Sequence, residues 1–368
     1  MGHEPCSLEK LVDLVVSEDL SGYLGKRILV TGHTGFKGTW LSRTLTLAGA
    51  EVYGIALAPE SGSLYTRVGE IGMGNSTILD IRHRAGIESY FKNHEFDGVF
   101  HLAAQPLVLK SYEAPVETFE TNVLGTAHVL DSIIRNEASP WVVAITTDKV
   151  YKNFEVSDGY KEDDALGGKD PYSASKSATE MVVNAWRAIS ESRNSGIVLC
   201  SARAGNVIGG GDIAKDRLMP DLLRSFYATT PAVIRNPNSL RPWQHVLDPI
   251  SGYIKIGKML NEKKSLAAAY NFGPKENSRL NVEEMAKTAC AIWGNNARYV
   301  VKSDLAQPPE SKLLWLSSER ALQDLGWENK LNAEEAIRWT LEWEKFAISV
   351  DAESALDQQI GQFFGLAV

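Results

Sequence analysis

Tyr172 and Lys176 stand four residues apart in DPYSASK, the stretch from Asp170 to Lys176. Asp170 is suited to cap a helix and Pro171 to open it, because proline at the first helical position gives up no hydrogen bond. The spacing therefore predicts a helix from about Tyr172, with phenol and ammonium on one face of its first turns. A phenol beside a cation is a candidate acid–base group, although the same spacing also fits an ordinary surface pair. A second polar group, Thr147, Asp148 and Lys149 in ITTDKVY, ends an apolar run. If that run is a buried strand and DPYSASK opens the next helix, all five side chains are expected to reach one cleft.

The elements that must position them are short apolar runs alternating with longer helical patterns. Strands are expected at 27–31, 51–56, 76–79, 98–104, 141–146 and 196–203, rich in Val and Ile and almost uncharged inside, as in parallel strands covered on both faces. Helices are expected at 39–48, 116–135 and 171–191. This alternation predicts an α/β fold with a doubly wound parallel (Rossmann-type) sheet, whose ligands sit at the carboxyl ends of the strands. Beyond Ala204 the chain turns to Gly- and Pro-punctuated loops among shorter helices, which reads as a smaller C-terminal substrate-binding domain. The expected division is an N-terminal extension at 1–24, a dinucleotide domain at 25–204 with a return segment at 242–272, and a substrate-binding domain at 205–241 and 273–368.

TGHTGFKG places Gly32, Gly35 and Gly38 between the first strand and the first helix. Glycines there let the backbone turn tightly and approach a pyrophosphate, which the helix N-terminus can hold. The spacing is GxxGxxG where the standard fingerprint has GxGxxG. The acidic residue that usually binds the adenosine ribose is absent about twenty residues on; Ala58 stands there and Glu60 two positions later. No arginine follows before Arg67, so NAD is expected over NADP. Asp80 and Ile81, after the third strand, are placed to close on the adenine, though an Asp ending a strand also serves as a turn former.

The 368 residues are 44% hydrophobic and 23% charged, enough for a large core and two domains. A net charge of −8 with no long basic run argues against nucleic acid or an anionic membrane as partner. Cys6, Cys200 and Cys290 are far apart, and neither they nor the seven histidines take a zinc-ligand spacing. The expected protein is reduced, cytoplasmic and without a metal.

TGHTGFKG, FHLAAQPLV, TTDKVY, DPYSASK, RAGNVIGGGD, AKDRLMPD, RPWQHVLDPISGY and NFGP occur in that order between about Gly25 and Trp343. In these motifs the chain resembles the extended short-chain dehydrogenase/reductase family, and within it the branch of 4,6-dehydratases acting on CDP-glucose. TGHTGFKG with RPWQHV marks the branch; YxxxK marks only the wider family. The resemblance implies NAD as cofactor, held by Gly32, Thr34, Gly35, Phe36, Lys37, Gly38, Asp80, Ile81, Leu102, Ala103, Ala104 and Gln105 together with Tyr172 and Lys176. It also implies a cycle on the glucosyl ring. Tyr172, made acidic by Lys176 and the nicotinamide charge, takes the 4-hydroxyl proton while hydride leaves carbon 4, and Thr147 holds the same oxygen. Water is then lost across carbons 5 and 6, with Asp148 as acid and Lys149 as base, and the hydride returns to carbon 6. The related dTDP-glucose enzymes carry Asp-Glu where this chain has Asp148-Lys149, so a lysine base needs its neutral amine populated.

For the nucleotide-sugar, the resemblance implies contacts from Gln105, Asn122, Asn206, Arg217, Arg241, His245 and Glu310, with His245 shaping the pocket. The tail segment PPESKLLWLS departs from the family pattern at Leu313 and Trp315 and keeps Glu310. The family further suggests a homodimer or a dimer of dimers, through pairing of the helices at 116–135 and 171–191; packing within one chain explains their apolar faces equally well. Two alternatives stay open. One is a dehydratase or 4-epimerase for another nucleotide-sugar (dTDP-, UDP- or GDP-linked), of which the epimerase has no use for Asp148 and Lys149. The other is an inactive NAD-binding module, against which stand Thr147, Tyr172 and Lys176.

Overall fold

The computed structural model describes residues 18–69, 75–136, 140–156, 158–262, 264–275, 278–302 and 313–367. Its first half runs β1 (Arg27–Thr31), α1 (Phe36–Leu47), β2 (Glu51–Ala56), α2 (Leu64–Val68), β3 (Asn75–Ile78) and α3 (Arg84–Asn93). It continues through β4 (Gly98–His101), α4 (Val108–Glu113), α5 (Pro115–Phe119), α6 (Thr126–Arg135), β5 (Trp141–Ile145), α7 (Pro171–Arg193) and β6 (Leu199–Ala204). The second half has β7 (Val207–Ile208), α8 (Leu218–Tyr227), β8 (Ala232–Ile234), β9 (Leu240–Pro242), β10 (Gln244–His245), α9 (Leu247–Asn261) and β11 (Ala269–Phe272). After these come β12 (Arg279–Asn281), α10 (Val282–Trp293), β13 (Tyr299–Val301), α11 (Glu319–Leu325), α12 (Ala333–Ser349) and α13 (Ala352–Phe364).

Seven strands form one parallel sheet in the order β11-β6-β5-β4-β1-β2-β3. The order reverses between β1 and β4, and that reversal opens a crevice at the strands' carboxyl ends. Alternate residues of the inner strands feed two buried layers, while the edge strand β3 is exposed along its length. Ile28 and Val30 face Trp40, Leu41, Ile250 and Tyr253, whereas Leu29, Val99 and Val142 face Ile87, Val129, Ile133 and Val183. A third cluster, from Leu222 and Phe226 through Met285 and Trp293 to Ile337 and Leu341, joins α8, α10 and α12 away from the sheet. The chain re-enters the sheet layer at α9 and β11, β11 pairing in parallel with β6. The C-terminal helix departs from the expected division: Leu356, Ile360 and Phe364 of α13 bury with Trp40 and Leu41, in the core of the sheet.

The helix expected at 116–135 is interrupted. Between α5 and α6, Glu120–Gly125 forms a π-helical turn. The wider turn turns Asn122 inward, where its amide is buried. Asp170 caps α7, its carboxylate accepting from Ser173 N at 2.9 Å, with Pro171 as first residue. Among the described residues no helix is long and apolar enough to cross a membrane.

Candidate active site

The crevice at the strand ends is a cleft of about 1600 Å³. Its floor is the turn after β1. Gly32 takes φ +75, open to glycine, and an added Cβ there would lie 2.9 Å from Ala103 N. At Gly38 a Cβ would fall 2.1 Å from Gly32 O, so α1 starts directly against the turn that precedes it. Gly35 is the N-cap of α1, and no side chain caps that end. The first amides of the helix and its positive dipole end are thus left facing the cleft, a cradle fitted to a pyrophosphate. Thr34, Phe36 and Lys37 line it from one side, and Leu102, Ala103, Ala104 and Gln105 from the end of β4.

Lys37 lies within the cleft with its amine buried. Burial pulls its amine down to about 8; Arg217 and Lys176 add to the fall, and Asp148 and Asp212 oppose it. It is a cleft-lining amine with no hydrogen-bond or ion-pair partner among the described residues. Asp80 and Ile81 line the far end, where Asp80 holds Arg82 through Nε at 2.9 Å and Nη2 at 2.7 Å.

Thr147, Asp148, Lys149, Tyr172 and Lys176 all line this one cleft. Thr147 Oγ1 donates to Asp148 Oδ1 at 2.9 Å and accepts from Lys149 N at 3.4 Å, so the turn after β5 is stitched by its own side chains. Lys176 Nζ points to Ile145 O at 3.5 Å. Burial pulls the Lys176 amine down to about 8, opposed by the Glu180 carboxylate. The Tyr172 phenol is pushed up to about 12 by burial; a hydrogen bond with Thr147 pulls it down and Asp148 pushes it up. The lowered phenol expected with a nicotinamide charge beside it is not reached by the protein's own groups: desolvation outweighs what Thr147 and Arg217 supply.

Of the residues expected at the nucleotide-sugar, Gln105, Asn206, Arg217 and Arg241 line the cleft. Arg217 pairs with Asp212 at 3.0 Å, and Arg241 donates to Leu240 O at 2.9 Å. Two others are not brought to it. Asn122 is buried as a strut, accepting from Gln105 N at 2.8 Å and donating to Ser175 Oγ at 2.9 Å. Its amide is consumed in fixing the β4 loop to α7. His245 is wholly buried between Trp40 and Trp339, with ring centroids 5.8 and 5.6 Å away, and burial pulls it down to about 3. Glu310 lies outside the described residues.

Sequence reasoning missed Arg82, Asp212 and Glu180. Arg82 and Asp212 sit beside singled-out motifs, in LDIR and GGGD; Glu180 continues YxxxK by one more helical turn. Among the described residues no group of three or more His, Cys, Asp or Glu is placed to hold a metal ion.

Residues 29–340 match the model of the family described as GDP-mannose 4,6 dehydratase. Over 333 residues, 89% of this chain and 92% of the relative, the sequence is 43% identical to a CDP-glucose 4,6-dehydratase of Salmonella typhimurium. A dTDP-glucose 4,6-dehydratase of Escherichia coli is 25% identical over 352 residues, covering 86% of this chain and 93% of the relative. Among solved structures, epimerase Mth375 of Methanothermobacter thermautotrophicus superposes with a TM-score of 0.79 at 23% identity, over 92% of this chain and 97% of that one. That likeness establishes the fold.

Proposed function

The chain belongs to the GDP-mannose 4,6 dehydratase family, and from that premise we propose that it converts CDP-glucose to CDP-4-keto-6-deoxyglucose as an NAD-dependent hydro-lyase. The observation that carries this reading is the meeting of Asp148 and Lys149 with Thr147, Tyr172 and Lys176 in one cleft at the reversal of strand order. An oxidation and reduction at carbon 4 alone needs only the last three. An acid and an amine beside them supply the two further proton transfers that dehydration requires.

NAD, when bound, supplies a reversible hydride acceptor. The uncapped start of α1 at Gly35 to Gly38 would hold its pyrophosphate, with Thr34 and the Leu102–Gln105 stretch beside it and Asp80 and Ile81 toward the adenine. Tyr172 takes the proton from the 4-hydroxyl, whose oxygen Thr147 holds, and Lys176 keeps the phenolate form in reach by its charge. Lys149 takes the proton from carbon 5, and Asp148 gives one to the departing 6-hydroxyl. Arg217, oriented by Asp212, and Arg241 neutralise the diphosphate of the sugar nucleotide, with Asn206 and Gln105 beside them. Residues 25–204 with 242–272 form the cofactor side, and 205–241 with most of 273–368 the substrate side.

The assembly is a dimer, through a four-helix contact of α5, α6 and α7 with their copies. In support, Val116, Leu124 and Met181 are 69%, 53% and 58% exposed on those helices and the turn that joins them. The two described cysteines are free, which suits a reducing, cytoplasmic setting.

The direct test is product analysis after incubation of the purified protein with CDP-, dTDP-, UDP- and GDP-glucose, without added cofactor. The expected product is the CDP-linked 4-keto-6-deoxy sugar, with CDP-glucose exceeding the others in kcat/KM. Stoichiometric release of NADH would rule out the closed cycle, and equal turnover of dTDP-glucose would sink the choice of nucleotide.

A further inference from the structure

Behind the cleft lies a charge pair that the reaction scheme does not use. Glu180 and Arg203 are 1% and 4% exposed at the side chain and meet at 2.8 Å. Glu180 lies on α7 one turn beyond Lys176, so both side chains share a helix face. One carboxylate oxygen accepts from Thr146 Oγ1 at 2.5 Å; the other accepts from Ser201 Oγ at 2.8 Å and from the guanidinium. Arg203 continues to Tyr151 Oη at 2.7 Å and to Glu162 O at 2.9 Å. Thr146 and Tyr151 bracket the turn that carries Thr147, Asp148 and Lys149. A buried ion pair is a poor source of stability, since apolar residues of the same volume often serve as well.

We propose that Glu180 is a positioning residue of the active site, tying the turn of Thr147 and Asp148 to the helix of Tyr172 and Lys176 and placing a buried carboxylate one helical turn behind Lys176. The inference deepens the dehydratase reading and rests on it for the role of Lys176.

The electrostatics agree. The titratable groups around the Lys176 amine are Tyr172 and Glu180 on its own helix, Asp148 on the turn after β5, Lys37 on α1 and His101 on β4. His101 is neutral, its ring nitrogens at 2.8 Å from Thr31 Oγ1 and 2.9 Å from Thr126 Oγ1. Lys37 carries the same charge sign as Lys176. Glu180 is the neighbour that counters the burial of the Lys176 amine.

The test measures the protonation of Lys176 directly, by trace acetylation of the whole protein with acetic anhydride across pH and mass spectrometry of the peptide. Glu180→Gln should lower the labelling midpoint of Lys176 by about one pH unit or more, and the alkaline limb of kcat/KM should move down with it. That variant also leaves Arg203 unpaired and should melt earlier. Glu180→Gln/Arg203→Met removes both charges, so its melting temperature should recover while the midpoint stays low. Recovery of the wild-type midpoint in the double variant would reduce Glu180 to a structural partner of Arg203. Collapse of the double variant would do the same by assigning the pair to stability. A wild type that labels normally yet turns over no nucleotide-sugar would fail the dehydratase reading and leave the Lys176 titration to decide this one.

Discussion

Alanine at Gly38 and alanine at Gly35 should damage the cofactor loop in different ways. A Cβ on Gly38 meets Gly32 O at 2.1 Å, Gly32 C at 2.8 Å and His33 Cα at 2.8 Å, all backbone of the turn after β1. No flexible side-chain end is among them, so the turn itself must give by roughly 1 Å to regain van der Waals spacing. Overpacking of that kind costs about 1–3 kcal/mol. The loss falls on folding and on the cradle together, because the displaced backbone is the part placed to receive the pyrophosphate. Gly38→Ala should therefore lower the melting temperature by a few degrees per kcal/mol and weaken NAD about tenfold or more. Gly35 is different. A Cβ there touches only Gly32 O, at 3.3 Å, and the residue has φ −80 and is exposed. The fold should tolerate Gly35→Ala, with melting within about a degree of wild type, while the methyl stands where a phosphate must approach and weakens NAD by a similar factor. Scanning calorimetry and isothermal titration with NAD separate the two effects. Wild-type NAD affinity in Gly35→Ala would refute the close approach, and wild-type melting in Gly38→Ala would refute the rigid contact.

Tyr172→Phe should bind substrate and yet lose about two to four orders of magnitude in forming enzyme-bound NADH, because the group proposed to take the 4-hydroxyl proton is gone; near-normal NADH formation would contradict that role. Lys149→Met should pass the first oxidation and accumulate bound NADH with 4-keto-glucose. Fast product carrying solvent deuterium at carbon 5 from this variant would place the base elsewhere. Leu124→Glu puts a charge on the exposed face of the π-helical turn and should shift sedimentation from dimer toward monomer, whereas an unchanged dimer would move the interface off these helices.

Local signals carried much of the fold. β1, β2 and β5 are short β-branched runs with no charge inside, and α7 begins where Asp170 and Pro171 leave little choice. Motif spacing also brought the five candidate side chains to one cleft, since in a parallel sheet every strand delivers its C-terminal residues to the same edge. What spacing does not carry is which way a side chain turns once it arrives. Asn122 and His245 belong to segments that pass close to the cleft, yet a π-helical turn directs the first inward and two tryptophans enclose the second.

Acidity was less legible still, because it depends on burial from many distant residues at once. A Tyr-Lys spacing suggests a lowered phenol; the enclosed cleft raises it, and the same enclosure pulls both Lys37 and Lys176 down to about 8. Two amines and a phenol whose ionised forms are all penalised by burial make the cleft's proton inventory depend on any further charge that enters. A diphosphate favours the ammonium forms, and a positive ring beside Tyr172 favours its phenolate. Under the proposed reaction, binding of the charged ligands would set the protonation states it needs, and Glu180 is a buried carboxylate that already opposes the desolvation of Lys176 before any ligand arrives.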